Sequence, residues 1–169
     1  MFTPFVRLLI LAVCSGLSIF AAVYNIRTLL VLSAVASVTM LIGYFRSSTI
    51  HLALKAVLSE DFDKAEKLLL QIRYPERLSR KNRLYYLFCQ GIVARGREDY
   101  PAATAALEDA IKEGLQPDQY QAMALLALTD IYMVEGDREK ARHYFSKMKN
   151  LKVSPALMES VRKMQSWLG

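Results

Sequence analysis

Residues 122–148 read AMALLALTDIYMVEGDREKARHYFSKM, and the reading of this stretch decides the fold. A mostly apolar segment runs from Ala122 to Val134 and stops at the polar, glycine-containing triplet Glu135-Gly136-Asp137. Ala141, Phe145 and Met148 then recur at three- and four-residue spacing. Two helices joined by a tight turn are the expected result, since residues three and four apart share one helix face.

The stretch is one copy of a repeat. Ala65, Ala103 and Ala141 are 38 residues apart, and so are Leu69, Leu107 and Phe145, as well as Ile72, Ala110 and Met148. Upstream columns keep the same step: Ala53, Gly91 and Thr129, with Ala56, Ala94 and Tyr132. Small residues belong where two antiparallel helices come closest, and larger apolar residues fill the space between successive pairs. Ser59-Glu60-Asp61 and Gly96-Arg97-Glu98-Asp99 mark the two earlier turns.

On these residues the chain resembles the tetratricopeptide repeat family, whose unit of about 34 residues is a helix, a turn and a helix. The last unit carries the pattern best, through Leu125, Leu128, Tyr132, Ala141, Phe145 and Pro155, with Thr129 in place of the usual glycine and Met148 in place of the second alanine. The middle unit keeps Leu87, Gly91, Ala103, Ala110 and Pro117, while Gln90 and Leu107 depart from it; the first unit, about 46–79, is degenerate. The longer period predicts extra residues in the connections around Leu78 to Arg83 and Leu115 to Gln121. The resemblance implies an all-α solenoid of about three helix pairs over residues 46–155. Residues 156–169 follow as a capping helix, on which Leu157, Val161, Met164 and Leu168 share a face. Trp167 either anchors that packing or meets a partner.

The resemblance also implies partner binding along the concave face lined by the first helix of each pair. Carried onto this chain, the positions are Ile50 and Leu54 in the first unit, Tyr85, Phe88, Ile92 and Arg95 in the second, and Met123, Leu126, Asp130 and Met133 in the third. Their apolar and aromatic character suits an apolar helix or extended segment docking in a groove. With only three units, the capping helix or neighbouring helices filling the groove, and turning its lining into ordinary core, is an equal alternative. Asp130, displaced on an apolar helix, is expected to pair with Arg95. A second candidate surface is the run Arg73, Arg77, Arg80, Lys81 and Arg83, facing lipid headgroups or a partner, or solvating a long loop.

Working back to the start, every Asp and Glu lies at or beyond Glu60, and Arg7 and Arg27 are the only charges before Arg46. The mean hydropathy of +0.18 therefore averages two unlike parts. The uncharged runs from Leu8 to Tyr24 and from Leu29 to Phe45 approach the roughly 20 residues that span a bilayer. Residues 1–45 are accordingly predicted to form a two-helix transmembrane hairpin, continuing into the first repeat helix because no turn signal separates Gly43 from Leu58. Basic residues near the membrane ends place both termini and the repeat domain on the cytoplasmic side of a bacterial inner membrane.

The net charge of +6 does not point to nucleic acid, because the basic residues beyond Arg46 are interleaved with acidic ones. No metal-ligand spacing, nucleophile–base pair or glycine-rich phosphate loop is present in the sequence, and Cys14 and Cys89 give no disulfide framework. The expectation is a noncatalytic chain with no cofactor, metal or small-molecule substrate, whose partners are proteins of a membrane complex and membrane lipid. Its predicted role is a scaffold or assembly factor. The competing reading is a regulatory subunit of a membrane enzyme or transporter that contacts its partner through the spans.

Overall fold

Three triplets spaced by 38 residues, Ser59-Glu60-Asp61, Arg97-Glu98-Asp99 and Glu135-Gly136-Asp137, make the same turn. In each, the middle residue is left-handed, with φ of 58° at Glu60, 62° at Glu98 and 81° at Gly136. The aspartate N–H then reaches back across the turn, from Asp61 to the Ala56 carbonyl at 2.9 Å, from Asp99 to Ala94 at 3.0 Å and from Asp137 to Tyr132 at 2.8 Å. This bond, with the one that the middle residue makes to the carbonyl three residues back, satisfies carbonyls that the end of a helix leaves without partners. The same aspartates start the next helix. Their carboxylates accept from the backbone N–H of Lys64 at 3.1 Å, Ala102 at 3.3 Å and Lys140 at 3.0 Å, each contributing about 1 kcal/mol as an N-cap. One short motif thus ends one helix and begins another.

The structure, a computed structural model, describes Val35 and residues 49–168. The turns join three helix pairs: α1 (49–58) with α2 (Phe62–Leu70), α3 (Arg80–Gly96) with α4 (Tyr100–Lys112), and α5 (Asp118–Val134) with α6 (Arg138–Ser146). A final helix, α7 (Pro155–Leu168), follows. No strand occurs among the described residues.

The repeat columns are the core. Ala65, Ala103 and Ala141 are all 0% exposed, and Ala53 and Thr129 are equally buried. At Gly91 the reason for a small residue is geometric: a Cβ there would lie 2.5 Å from Leu107 Cγ and 3.2 Å from the Ala103 carbonyl oxygen. Successive pairs pack through α3 on α2 and α5 on both α3 and α4. Polar bridges at the edges join helices both between pairs and within the middle pair. Arg97 in the second turn pairs with Glu66 and Asp63 of α2, Arg83 of α3 pairs with Glu113, and Glu108 of α4 accepts hydrogen bonds from the phenols of Tyr132 and Tyr144.

Two expectations are corrected. The extra connecting residues lie upstream of where the sequence places them: residues 71–79 contain a 3-10 turn at Pro75–Arg77, and α3 has already begun at Arg80. Likewise α5 begins at Asp118, so most of the segment from Leu115 to Gln121 is helix. The second correction concerns the membrane. An all-α fold stands, but the two-helix transmembrane hairpin does not enter it, because no helix among the described residues is long and apolar enough to cross a membrane. The longest of them, α3 and α5, have 17 residues each. At about 1.5 Å per residue such helices fall short of a hydrocarbon core of roughly 30 Å, and their apolar faces are used against one another. Residues 1–45, where the hairpin is predicted, lie outside the described residues apart from Val35, as does the predicted continuation into α1. Multi-pass placement in the bacterial inner membrane is therefore not supported.

Candidate functional site

The ten groove positions separate into two groups. Ile50 and Phe88 are 0% exposed, and Leu54 and Tyr85 are also buried. A ladder of rings closes this part of the concave face: Phe88 stacks on Tyr120 at 5.6 Å, Tyr120 meets Tyr85 edge-on at 5.7 Å, and Tyr85 meets His51 at 6.1 Å. Tyr120, from the neighbouring pair, fills this part of the groove, which is one of the two outcomes that the sequence leaves open. Ile50, Leu54 and Phe88 are thus core residues, and Met133 packs against the same core.

The other five positions converge. Ile92 and Arg95 on α3, and Met123, Leu126 and Asp130 on α5, line one cleft of about 370 Å³. Their spacings of three and four residues put each set on a single helix face. Val57, Glu60 and Phe62 close one side, and Leu157, Ser160, Lys163, Met164 and Trp167 of α7 close the other. Phe62 reaches this position because Gly96 makes room: a Cβ there would stand 2.9 Å from the Phe62 ring. The floor is apolar and the rim is charged. Arg95 Nε lies 3.7 Å from Asp130 Oδ2, as the sequence suggests. Both side chains are more than a third exposed, so the pair contributes at most about 1 kcal/mol and chiefly orients the rim. Lys163 Nζ sits 5.2 Å from the centroid of the Trp167 ring, which is 54% exposed.

Helix α7 is the capping helix that the sequence offers as one filler of the groove, and its apolar stripe is legible there. Met164, with Leu157, Val161 and Leu168 around it, packs on Leu125, Leu126 and Met148. That contact lays the last helix along the concave side of α5, where it supplies a wall of the cleft as well as a cap. Phe62 and Glu60 escape the sequence reading because they sit in and just after the first turn, outside the helix face on which the transferred positions lie.

The residues of the basic run make separate local contacts. Arg73 and Arg77 lie over Tyr74, with guanidinium carbons 5.8 Å and 4.8 Å from the ring centroid. Arg83 pairs with Glu113, Arg80 Nη2 donates to the Glu113 carbonyl oxygen at 3.0 Å, and Lys81 Nζ lies 5.5 Å from the Tyr85 ring centroid. Arg80, Lys81 and Arg83 belong to the first turn of α3 rather than to a long loop, which corrects the loop reading. Arg80 and Lys81 border a separate open cleft of about 620 Å³ together with Tyr85 and Pro117.

The remaining titratable groups in the core have structural surroundings. Burial pushes the Cys89 thiol up to about 12, so it stays protonated as an apolar core atom. Burial first, and then donation to the Glu108 carboxylate, raises the Tyr144 phenol well above its ordinary value. Among the described residues no three His, Cys, Asp or Glu side chains lie together as a metal site would require. No protein-family model, curated protein or solved structure matches the chain.

Proposed function

We propose that this chain is a noncatalytic protein-interaction scaffold of the tetratricopeptide-like helix-pair class, which takes an apolar segment of a protein partner into the cleft between α3, α5 and α7. One observation carries the reading: five of the ten positions that the resemblance assigns to partner contact, on two successive first helices, line the same cleft of about 370 Å³. A floor of Ile92, Met123 and Leu126 offers methionine and aliphatic surface that adapts to varied apolar side chains. The Arg95–Asp130 pair keeps hydrogen-bonding capacity at the mouth for the main chain of whatever enters. The ring ladder over the other half of the concave face supports a short anchor segment rather than a partner running the full length of the array.

The test is a comparison of partners captured by the full chain and by Met123→Glu. Met123 is half-buried, so a charge there reaches the cleft without entering the core. The variant is expected to keep its circular dichroism spectrum and to lose at least one partner. A control at exposed Gln90, Gln90→Glu, should retain that partner. Identical partner sets from all three proteins would remove the cleft from the interaction.

A further inference from the structure

Helix α7 forms its wall of the cleft on modest terms. Its stripe of Leu157, Val161, Met164 and Leu168 follows an i, i+4, i+7, i+11 spacing, yet among the described residues of α7 only Met164 is buried. The segment that leads into it is not helical from Leu151 to Ser154. Two exposed hydrogen bonds hold the leading segment and the end of the helix: Lys152 N–H to Asp118 Oδ2 at 3.1 Å, and Arg142 Nη2 to the Leu168 carbonyl oxygen at 3.1 Å. Exposed bonds of this kind exchange readily with water. The charges at the cleft are also complementary. The repeat side brings Glu60, Asp130 and Arg95, two carboxylates against one guanidinium, and α7 brings Lys163.

We infer that α7 is a tethered, exchangeable wall of the cleft, standing in the place of a partner helix that carries the same apolar stripe with a basic residue beside it. The inference rests on the cleft being a partner site, and adds both the chemistry of the partner and the device that regulates access. A helix joined to its own groove by a few residues competes at an effective concentration on the order of millimolar. A free helix therefore binds with an affinity lowered by the fraction of chains in which α7 is undocked. The cleft stays closed to weak or mismatched segments and opens to one that matches the stripe and the charge.

The experiment uses the full chain and a labelled synthetic peptide copying residues 154–168 with Trp167→Phe, so that Trp167, the sole tryptophan of the sequence, reports on the protein alone. In the unaltered chain, saturating peptide should displace α7 and increase quenching of Trp167 by iodide. In the chain carrying Met164→Glu and Leu168→Glu, whose own α7 is undocked, fluorescence anisotropy should give peptide binding about tenfold tighter or more. Adding Met123→Glu to that chain should abolish binding. Equal peptide affinity in the unaltered and undocked chains would overturn the exchange while leaving the cleft as a partner site. No binding by either chain would overturn the helix-accepting cleft as well. Should the doubly charged variant fail to fold, the unaltered chain still decides: unchanged Trp167 quenching at saturation overturns the proposal.

Discussion

The middle and last helix pairs repeat the same columns yet close their crossings on different residues. In the middle pair Gly91 lies under Leu107, which is fully buried and leaves no room for a Cβ. In the last pair the equivalent position is Thr129, also fully buried, with its Oγ1 donating to the Leu125 carbonyl oxygen at 2.8 Å. The difference originates opposite. Phe145, the counterpart of Leu107, is half-buried and packs into the cluster beneath α7, so the last crossing has space that the middle one lacks. A repeat column therefore specifies the sum of two facing side chains, and α7 shifts how that sum is divided.

The largest expected effect exchanges the two solutions. Gly91→Thr places a branched side chain against Leu107 Cγ and the Ala103 carbonyl, and overpacking of this kind costs about 3 kcal/mol. The urea unfolding midpoint should fall accordingly, with the slope unchanged. A midpoint that stays put would mean that the middle pair relaxes as easily as the last, and the contrast would be lost.

The turns carry the next contrast. Glu60 and Glu98 occupy the left-handed position that Gly136 fills in the last pair. An L-residue there is disfavoured by roughly 1–2 kcal/mol, partly offset by the greater unfolded-state freedom of glycine. Glu98→Gly should therefore stabilise the protein by about 0.5–1 kcal/mol, read as a higher thermal midpoint.

A smaller effect is confined to acid. The Asp137 carboxyl is held below its ordinary value, first by the backbone N–H of Lys140 and then by the Lys140 side chain, 3.1 Å away. A carboxylate depressed on folding contributes stability that is full above its unfolded value near pH 3.9 and is lost as pH falls through the lower folded value. Asp137→Asn keeps a capping oxygen without the titration. The difference in unfolding midpoint between the two chains should be constant above about pH 5 and shift against the unaltered chain between roughly pH 4 and 2.

Much of the fold is legible in the sequence because the repeat writes it three times. Alanine columns, turn triplets and the Arg95–Asp130 pair all follow from a single spacing of 38 residues and from helix periodicity. The cleft is legible only by half. Which concave residues stay accessible depends on Tyr120, whose ring crosses between pairs to Phe88 and Tyr85, and on α7 settling against Leu126. Neither is encoded in a local period, since both are contacts between elements whose relative placement the pattern leaves open. The predicted membrane hairpin illustrates the opposite hazard. Uncharged runs approach the length of a span, while none of the described helices is long and apolar enough to cross a membrane.

The smallest prediction returns to the last crossing. Thr129→Val removes the Oγ1 hydrogen bond but keeps the branched shape, and the Leu125 carbonyl retains the ordinary i to i−4 partner of a helix. A buried hydroxyl bonded in this way adds little to a helix and tends to bend it. The change in stability should therefore be within about 1 kcal/mol in either direction. If the valine variant lost as much as Gly91→Thr, the last crossing would be governed by its hydroxyl rather than by the space that Phe145 vacates. Near-neutral behaviour leaves the division of volume between facing residues as the reason one column holds alanine, glycine and threonine in turn.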